Sequence, residues 1–175
     1  MANRPHDKLT AERLHKLLRY DSQTGIFTRR FVGGRWSQYP IGSIIGRPHI
    51  GGYISMFIDG EDHQAHRVAW IMMTGEWPKE RVDHRDRNRA NNRWTNLRLA
   101  IGAQHLANSG LRRDNRLGFK GMYERRYPSG KSHYCAKVQL DAKQYWCGSF
   151  NTPEEAHAAY VAKAKELFGE FHCPG

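Results

Sequence analysis

The hydrophobic pattern begins with Leu14, Leu17 and Leu18 at helical spacing behind Thr10, a residue suited to cap a first turn. It predicts a helix from about residue 10 to 19, with Leu9 and Leu14 as a hydrophobic staple, after a disordered lead-in over residues 1–8. A Tyr-Asp-Ser-Gln-Thr-Gly turn leads to a strand at 26–29, a loose Gly-rich stretch to Tyr39, and further strands at 41–46 and 52–58. In the last of these Ile54, Met56 and Ile58 alternate with Tyr53, Ser55 and Phe57, so both faces carry apolar groups and at least one is covered. Asp59-Gly60 marks a hairpin turn with a return strand at 61–65. From His66 the period lengthens, and Val68, Ala69, Trp70, Ile71 and Met72 predict a buried helix ending before Gly75. Pro78 then breaks the chain.

The C-terminal third has a different rhythm. Residues 119–126, 134–140 and 144–150 read as three antiparallel strands, with turns at Pro128-Ser129-Gly130 and Asp141-Ala142-Lys143. Tyr134, Ala136, Val138 and Leu140 share one face, leaving Lys137 and Gln139 on the other, a pattern for one packed and one wet side. Thr152-Pro153-Glu154-Glu155 is a capping box with Pro at the first helical position, and Gly169 is the stop. Ala156, Tyr160, Ala164 and Leu167 form the stripe that covers the sheet. The whole is an α+β chain.

Between these parts lies residues 81–108, RVDHRDRNRANNRWTNLRLAIGAQHLAN, where polar chemistry is concentrated. A strand at 81–84, an Arg/Asn-rich loop, a strand near 97–99 and a helix from about Gly102 make a β-β-α hairpin. Such a hairpin gathers Asp83-His84, Asn96 and His105 in one place. Asp86 and Asn88 read as turn caps through side-chain hydrogen bonds, with cation ligation as the alternative. His66-Arg67 reads as a helix-start pair in contact with solvent or phosphate, with a functional role as the alternative.

Composition adds direction. The chain has 175 residues and a formal net charge of +11. Residues 81–131 hold 13 Lys/Arg against 4 Asp/Glu, and 11 of those cations are Arg, which suits two-pronged phosphate contact. Residues 132–175 carry 4 against 5, so the positive charge surrounds the hairpin and the segment after it. That balance favours a polyanionic partner. Cys135, Cys147 and Cys173 are too scattered for a disulfide framework or a paired-cysteine zinc site, and they read as reduced thiols. Neither a membrane span nor a signal-peptide core is present in the pattern, so a soluble cytoplasmic protein is expected.

The spacing Val-Asp-His-x-Asp-x-Asn-x-x-Asn-Asn-x-x-x-Asn-Leu-Arg resembles the HNH endonucleases, and within them the group found in phage and intron-borne homing enzymes. The resemblance implies a metal-dependent nuclease core over 81–106 within a domain spanning 21–106, behind an N-terminal segment and helix at 1–20. It implies His84 as general base, Asn96 as the brace of the loop and orienter of His84, and Asp83 with His105 as ligands of one divalent ion. That ion is expected to be Mg²⁺, with Mn²⁺ or another transition metal as alternatives. Ile101 stands where many of that group carry Thr, and His105 where they often carry Asn. Arg85, Arg87, Arg89, Arg93 and Arg98 are expected to contact DNA.

Residues 107–118 read as a basic interdomain linker whose Arg112, Arg113 and Arg116 lie along the DNA backbone, or equally as a solvated tether. Residues 119–172, with Gly121, Trp146-Cys147-Gly148-Ser149-Phe150 and the Thr-Pro-Glu-Glu-Ala helix start, look like an AP2 DNA-binding domain. That likeness implies a sheet face that reads DNA through Lys120, Tyr123, Arg125, Lys137, Gln139, Gln144 and Trp146. Ordinary polar surface is the alternative. The expected protein is a monomeric nuclease acting on double-stranded DNA, without membrane or small-molecule partner. A DNA-binding regulator on an inactive HNH scaffold is the competing reading.

Overall fold

The computed structural model describes residues 9–31, 40–101, 104–111 and 114–173, with backbone alone at 105 and 106. The expected lead-in, most of the Gly-rich stretch before Pro40, and the side chains of Arg112 and Arg113 lie outside the described residues. The chain is α+β and forms two compact units, Met1–Leu99 and Ala100–Gly175.

In the first unit, helix α1 (Ala11–Leu17) starts where the Thr10 hydroxyl accepts from the Arg13 amide at 3.1 Å. It is shorter than its pattern suggested, because Leu18 turns extended and begins strand β1 (Leu18–Tyr20). That strand pairs antiparallel with β2 (Phe27–Arg29), and β2 pairs with the short β3 (Ile44–Ile45). A second sheet follows, in the order β4 (Arg47–Pro48), β5 (Ile54–Ile58), β6 (Glu61–Gln64). Its β5–β6 hairpin turns at Asp59-Gly60, as the sequence signalled. Helix α2 (Ala65–Thr74) packs on this hairpin and stops at Gly75. The core gathers Leu14, Phe27, Met56, Val68 and Ile71, each essentially removed from water. Each such large side chain stabilises the fold by roughly 1.5–3 kcal/mol. Strands β7 (Arg81–His84) and β8 (Leu97–Ala100) form a separate two-stranded ribbon whose Val82 and Leu97 join that core.

The division between units falls inside β8, ahead of the basic segment expected to be a linker. Helix α3 (Gln104–Ala107) belongs to the second unit. The described part of 107–118 is bonded within that unit: the Cys173 amide donates to Ala107 O, and Asn115 caps the turn at Leu117 and Gly118. The sheet runs β11–β10–β9, with β9 (Met122–Arg126), β10 (Ser132–Leu140) and β11 (Lys143–Phe150) antiparallel. Helix α4 (Pro153–Phe168) lies across it, capped by Thr152 as expected. Ala156, Tyr160 and Ala164 are buried, while the last place in the stripe is taken by Phe168, with Leu167 only partly covered. Gly121 sits beneath the Tyr160 ring: a Cβ there would fall inside the aromatic carbons, so the helix can lie this close only on a glycine. Among the described residues no helix is long and apolar enough to cross a membrane.

Candidate active site

The β7 strand sets the geometry. Alternate residues of a strand face opposite ways, so Val82 and His84 point into the unit while Asp83 lies on the other side, partly exposed. His84 is 4% exposed. Its Nε2 lies 3.3 Å from Asn92 Oδ1, and the Asn92 amide nitrogen donates in turn to Ala90 O at 3.2 Å. An amide oxygen only accepts, so Nε2 carries the proton and Nδ1 is the basic nitrogen. Burial lowers the His84 pKa below that of an ordinary imidazole, although the Asn92 hydrogen bond and the Asp86 and Asp83 charges oppose it. The ring is therefore a neutral base at neutral pH.

Two aromatic neighbours confine it. His66 at the start of α2 meets His84 edge-on, centroids 5.1 Å apart, and Tyr53 lies 5.2 Å from His66 and 6.1 Å from His84. His66 is itself buried, its Nδ1 has no hydrogen-bond partner among the described residues, and burial together with the charges of His84 and Arg67 pulls its pKa down to about 3. The helix-start pair expected to meet solvent or phosphate thus divides: the His66 ring is inside, against His84, because α2 begins directly behind the β5–β6 hairpin. The sequence signal was the His66-Arg67 pair at a strand-to-helix step, where a functional role stood only as the alternative.

The loop between β7 and β8 is built from amide side chains. Asp86 accepts from the Asn88 amide at 2.8 Å, from Asn96 Nδ2 at 2.9 Å and from Asn91 Nδ2 at 2.6 Å. Partial burial raises the Asp86 pKa, but these bonds outweigh it and the net shift is downward. Asn88 caps Ala90, and Asn96 also accepts from the Asp86 amide and donates to Asn91 O. Asp86 and Asn88 are turn caps, as their types suggested. Asn96 braces the loop, whereas the side chain that orients His84 is Asn92. The β1–β2 hairpin and α2 clamp the same loop from outside. Tyr20 Oη donates to Asn92 O at 2.6 Å, the Trp94 amide donates to Ser22 O, and the Trp94 and Trp70 rings are 5.1 Å apart. Gly25, at φ 75°, lies so close that a Cβ would stand 2.5 Å from the Asn92–Arg93 backbone.

The predicted DNA-contacting arginines separate into two groups. Arg85, Arg87, Arg89 and Arg93 are exposed, with Arg89 donating to Gly51 O at 2.8 Å and lying 4.9 Å above the Tyr53 ring. Arg98 departs from the expectation. It is buried in β8, and its Nε and Nη2 reach Asp83 Oδ2 at 3.3 and 3.2 Å, because β7 and β8 place the two side chains against each other. The His105 side chain, expected as the second metal ligand, lies outside the described residues, and His105 belongs to the second unit. Among the described residues no three His, Cys, Asp or Glu side chains converge as a metal cluster.

In the second unit Tyr123, Arg125, Lys137, Gln139, Gln144 and Trp146 are all exposed on the strands, with Trp146 58% exposed. The Lys137 ammonium lies 5.6 Å from the Tyr123 ring and donates to Gln144 Oε1 at 3.3 Å. Lys120 departs from the expected DNA face: its ammonium donates to the carbonyls of Ala107, Ser109 and Cys173, holding chain ends together within the unit. Arg116 is exposed, beside the Asn115 turn.

Residues 63–107, from β6 through the ribbon to α3, match the HNH endonuclease family model. The chain is 33% identical over 113 residues to an uncharacterized HNH endonuclease of Acanthamoeba polyphaga mimivirus, a match covering 63% of this chain and 56% of that relative. The match thus takes in little more than half the relative's length. No solved structure matches the chain. The buried His84, the amide-built loop and the Asp83 strand thus all lie within residues 63–107, the stretch of this chain that is similar to the HNH endonuclease family.

Proposed function

We propose that the protein is a metal-dependent DNA endonuclease in which His84 deprotonates the attacking water and the second unit supplies targeting. One observation carries this: a buried, neutral imidazole fixed by Asn92 on a strand whose next-door residue is a carboxylate. Phosphodiester hydrolysis needs a base that is unprotonated near neutral pH and held in one orientation. His84 has Nε2 committed to Asn92, so Nδ1 is the nitrogen that takes the proton. Asn96 acts one step back, keeping the loop and hence Asn92 in position.

A carboxylate and an imidazole are suitable donors for a divalent cation such as Mg²⁺ or Mn²⁺, so Asp83 and His105 would hold it. When bound, such an ion neutralises charge on the phosphate and the leaving oxygen. Arg85, Arg87 and Arg93, exposed beside the hairpin, suit phosphate contact, with Arg89 at the edge over Tyr53. Arg98 and Lys120 are committed inside the protein and are left out of this contact set. The AP2-like reading of the second unit is supported by the exposed row Tyr123, Arg125, Lys137, Gln139, Gln144 and Trp146 opposite the face that packs on α4. Such a row offers cations, amides and flat rings to a DNA groove. A homing-type role in a phage or mobile element accords with the sequence pattern.

The test is incubation of supercoiled plasmid with the purified chain in Mg²⁺ or Mn²⁺. His84→Ala is expected to abolish nicking while leaving duplex binding within about twofold. Retained cutting would remove His84 from the base role. Duplex binding without nicking by the unaltered chain in any divalent metal would favour the regulator reading.

A further inference from the structure

We propose that Arg98 makes cation binding at Asp83 conditional on DNA, so that the nuclease takes up its metal together with its substrate. This rests on the reading of Asp83 as a cation ligand. The pair is built into the hairpin, one member on β7 and the other on β8, with side chains 17% and 5% exposed. Two guanidinium nitrogens converge on a single oxygen, Asp83 Oδ2. A pair this buried is little screened by salt, and it compensates the carboxylate before any metal arrives.

The surroundings reinforce the effect. Between residues 81 and 98 there are six Arg and two Asp. The other acid, Asp86, already accepts on both oxygens from Asn88, Asn91 and Asn96. A divalent cation approaching the DNA-free protein therefore meets a neutralised carboxylate within a positive field. A phosphodiester changes both conditions: it offsets Arg85, Arg87, Arg89 and Arg93 and brings anionic oxygens of its own. Metal and DNA then bind as positive partners, and linkage requires that each raises the other's affinity by the same factor. Arg98 is a positioning residue in this scheme, acting through Asp83.

The experiment measures Mn²⁺ binding by electron paramagnetic resonance on the full chain carrying His84→Ala, which keeps a duplex intact, with and without a short duplex and after subtraction of duplex alone. Without DNA the affinity is expected to be at least tenfold weaker than with it. Adding Arg98→Met tightens DNA-free Mn²⁺ binding tenfold or more and shrinks the effect of the duplex. Asp83→Asn removes Mn²⁺ binding in both states. Loss on Asp83→Asn with no change on Arg98→Met overturns the role of Arg98 alone. Binding that survives Asp83→Asn overturns the ligand assignment and this inference with it. Should Arg98→Met fail to fold, the reciprocal measurement decides: duplex affinity with and without Mn²⁺ must shift by the same factor, and an unchanged affinity overturns the proposal.

Discussion

His66 turns burial into a measurable pH dependence. Its folded pKa is drawn down to about 3 by burial and neighbouring charge, while in the unfolded chain it returns to the ordinary value of 6.5. Above pH 6.5 the ring is neutral in both states and its full contribution to stability is present. As pH falls from 6.5 towards 3 the unfolded state takes up a proton that the folded state refuses, so stability declines by up to about 1.4 kcal/mol per pH unit. Urea unfolding at pH 7 and pH 5 should show this loss, and His66→Phe should flatten it; an unchanged slope would mean the ring is solvated. The strand that carries Asp83 and His84, with the two side chains on opposite sides, was legible in the sequence because its pattern is local. His66, Tyr53 and the Asn92 role were not, since each depends on which ring or amide the fold carries next to His84. Arg98 was misread for the same reason: a cation in a basic segment reads as surface until its strand partner is known.

At the level of elements, the first hairpin's turn is a support for the loop that holds His84. Gly25→Ala is strained at φ 75° and drives a Cβ into the Asn92–Arg93 backbone, so a loss of about 2–4 kcal/mol is expected, with nicking reduced at temperatures where the chain stays folded. Denaturant midpoints alongside plasmid assays check both parts. In the second unit the β10–β11 turn puts Asp141 at φ 47° and Ala142 at φ 65°, a left-handed pair that Ala adopts at a cost. Ala142→Gly should therefore raise the unit's stability by about 0.5–1 kcal/mol, read from its unfolding midpoint. Periodicity located most strands and helices to within a few residues, though not β1 or the two-residue β4, and the Thr10 and Thr152 caps were readable directly. The α1 end was not, because Leu18 leaves the helical stripe for a strand whose partner, β2, lies beyond a turn.

For the whole molecule, charge governs association. If Arg85, Arg87 and Arg93 each meet a phosphate, duplex affinity should fall with a log–log salt slope of about −0.9 per contact, and removing one of them should flatten it by about one unit. A salt-insensitive complex would contradict this. Since Arg98 compensates Asp83 without any ion, adding chelator should shift the melting temperature by no more than about 1 °C, measurable by calorimetry. The α+β class and the change of rhythm near residue 119 were visible in the pattern. The actual division at Leu99 was not, because the polar composition of 107–118 hides the carbonyls that Lys120 gathers. The contact between Trp70 and Trp94, rings 5.1 Å apart at 50°, has an optical consequence. Two indoles so close and so inclined couple their electronic transitions, and the resulting circular-dichroism couplet reports whether the loop is seated without any added label.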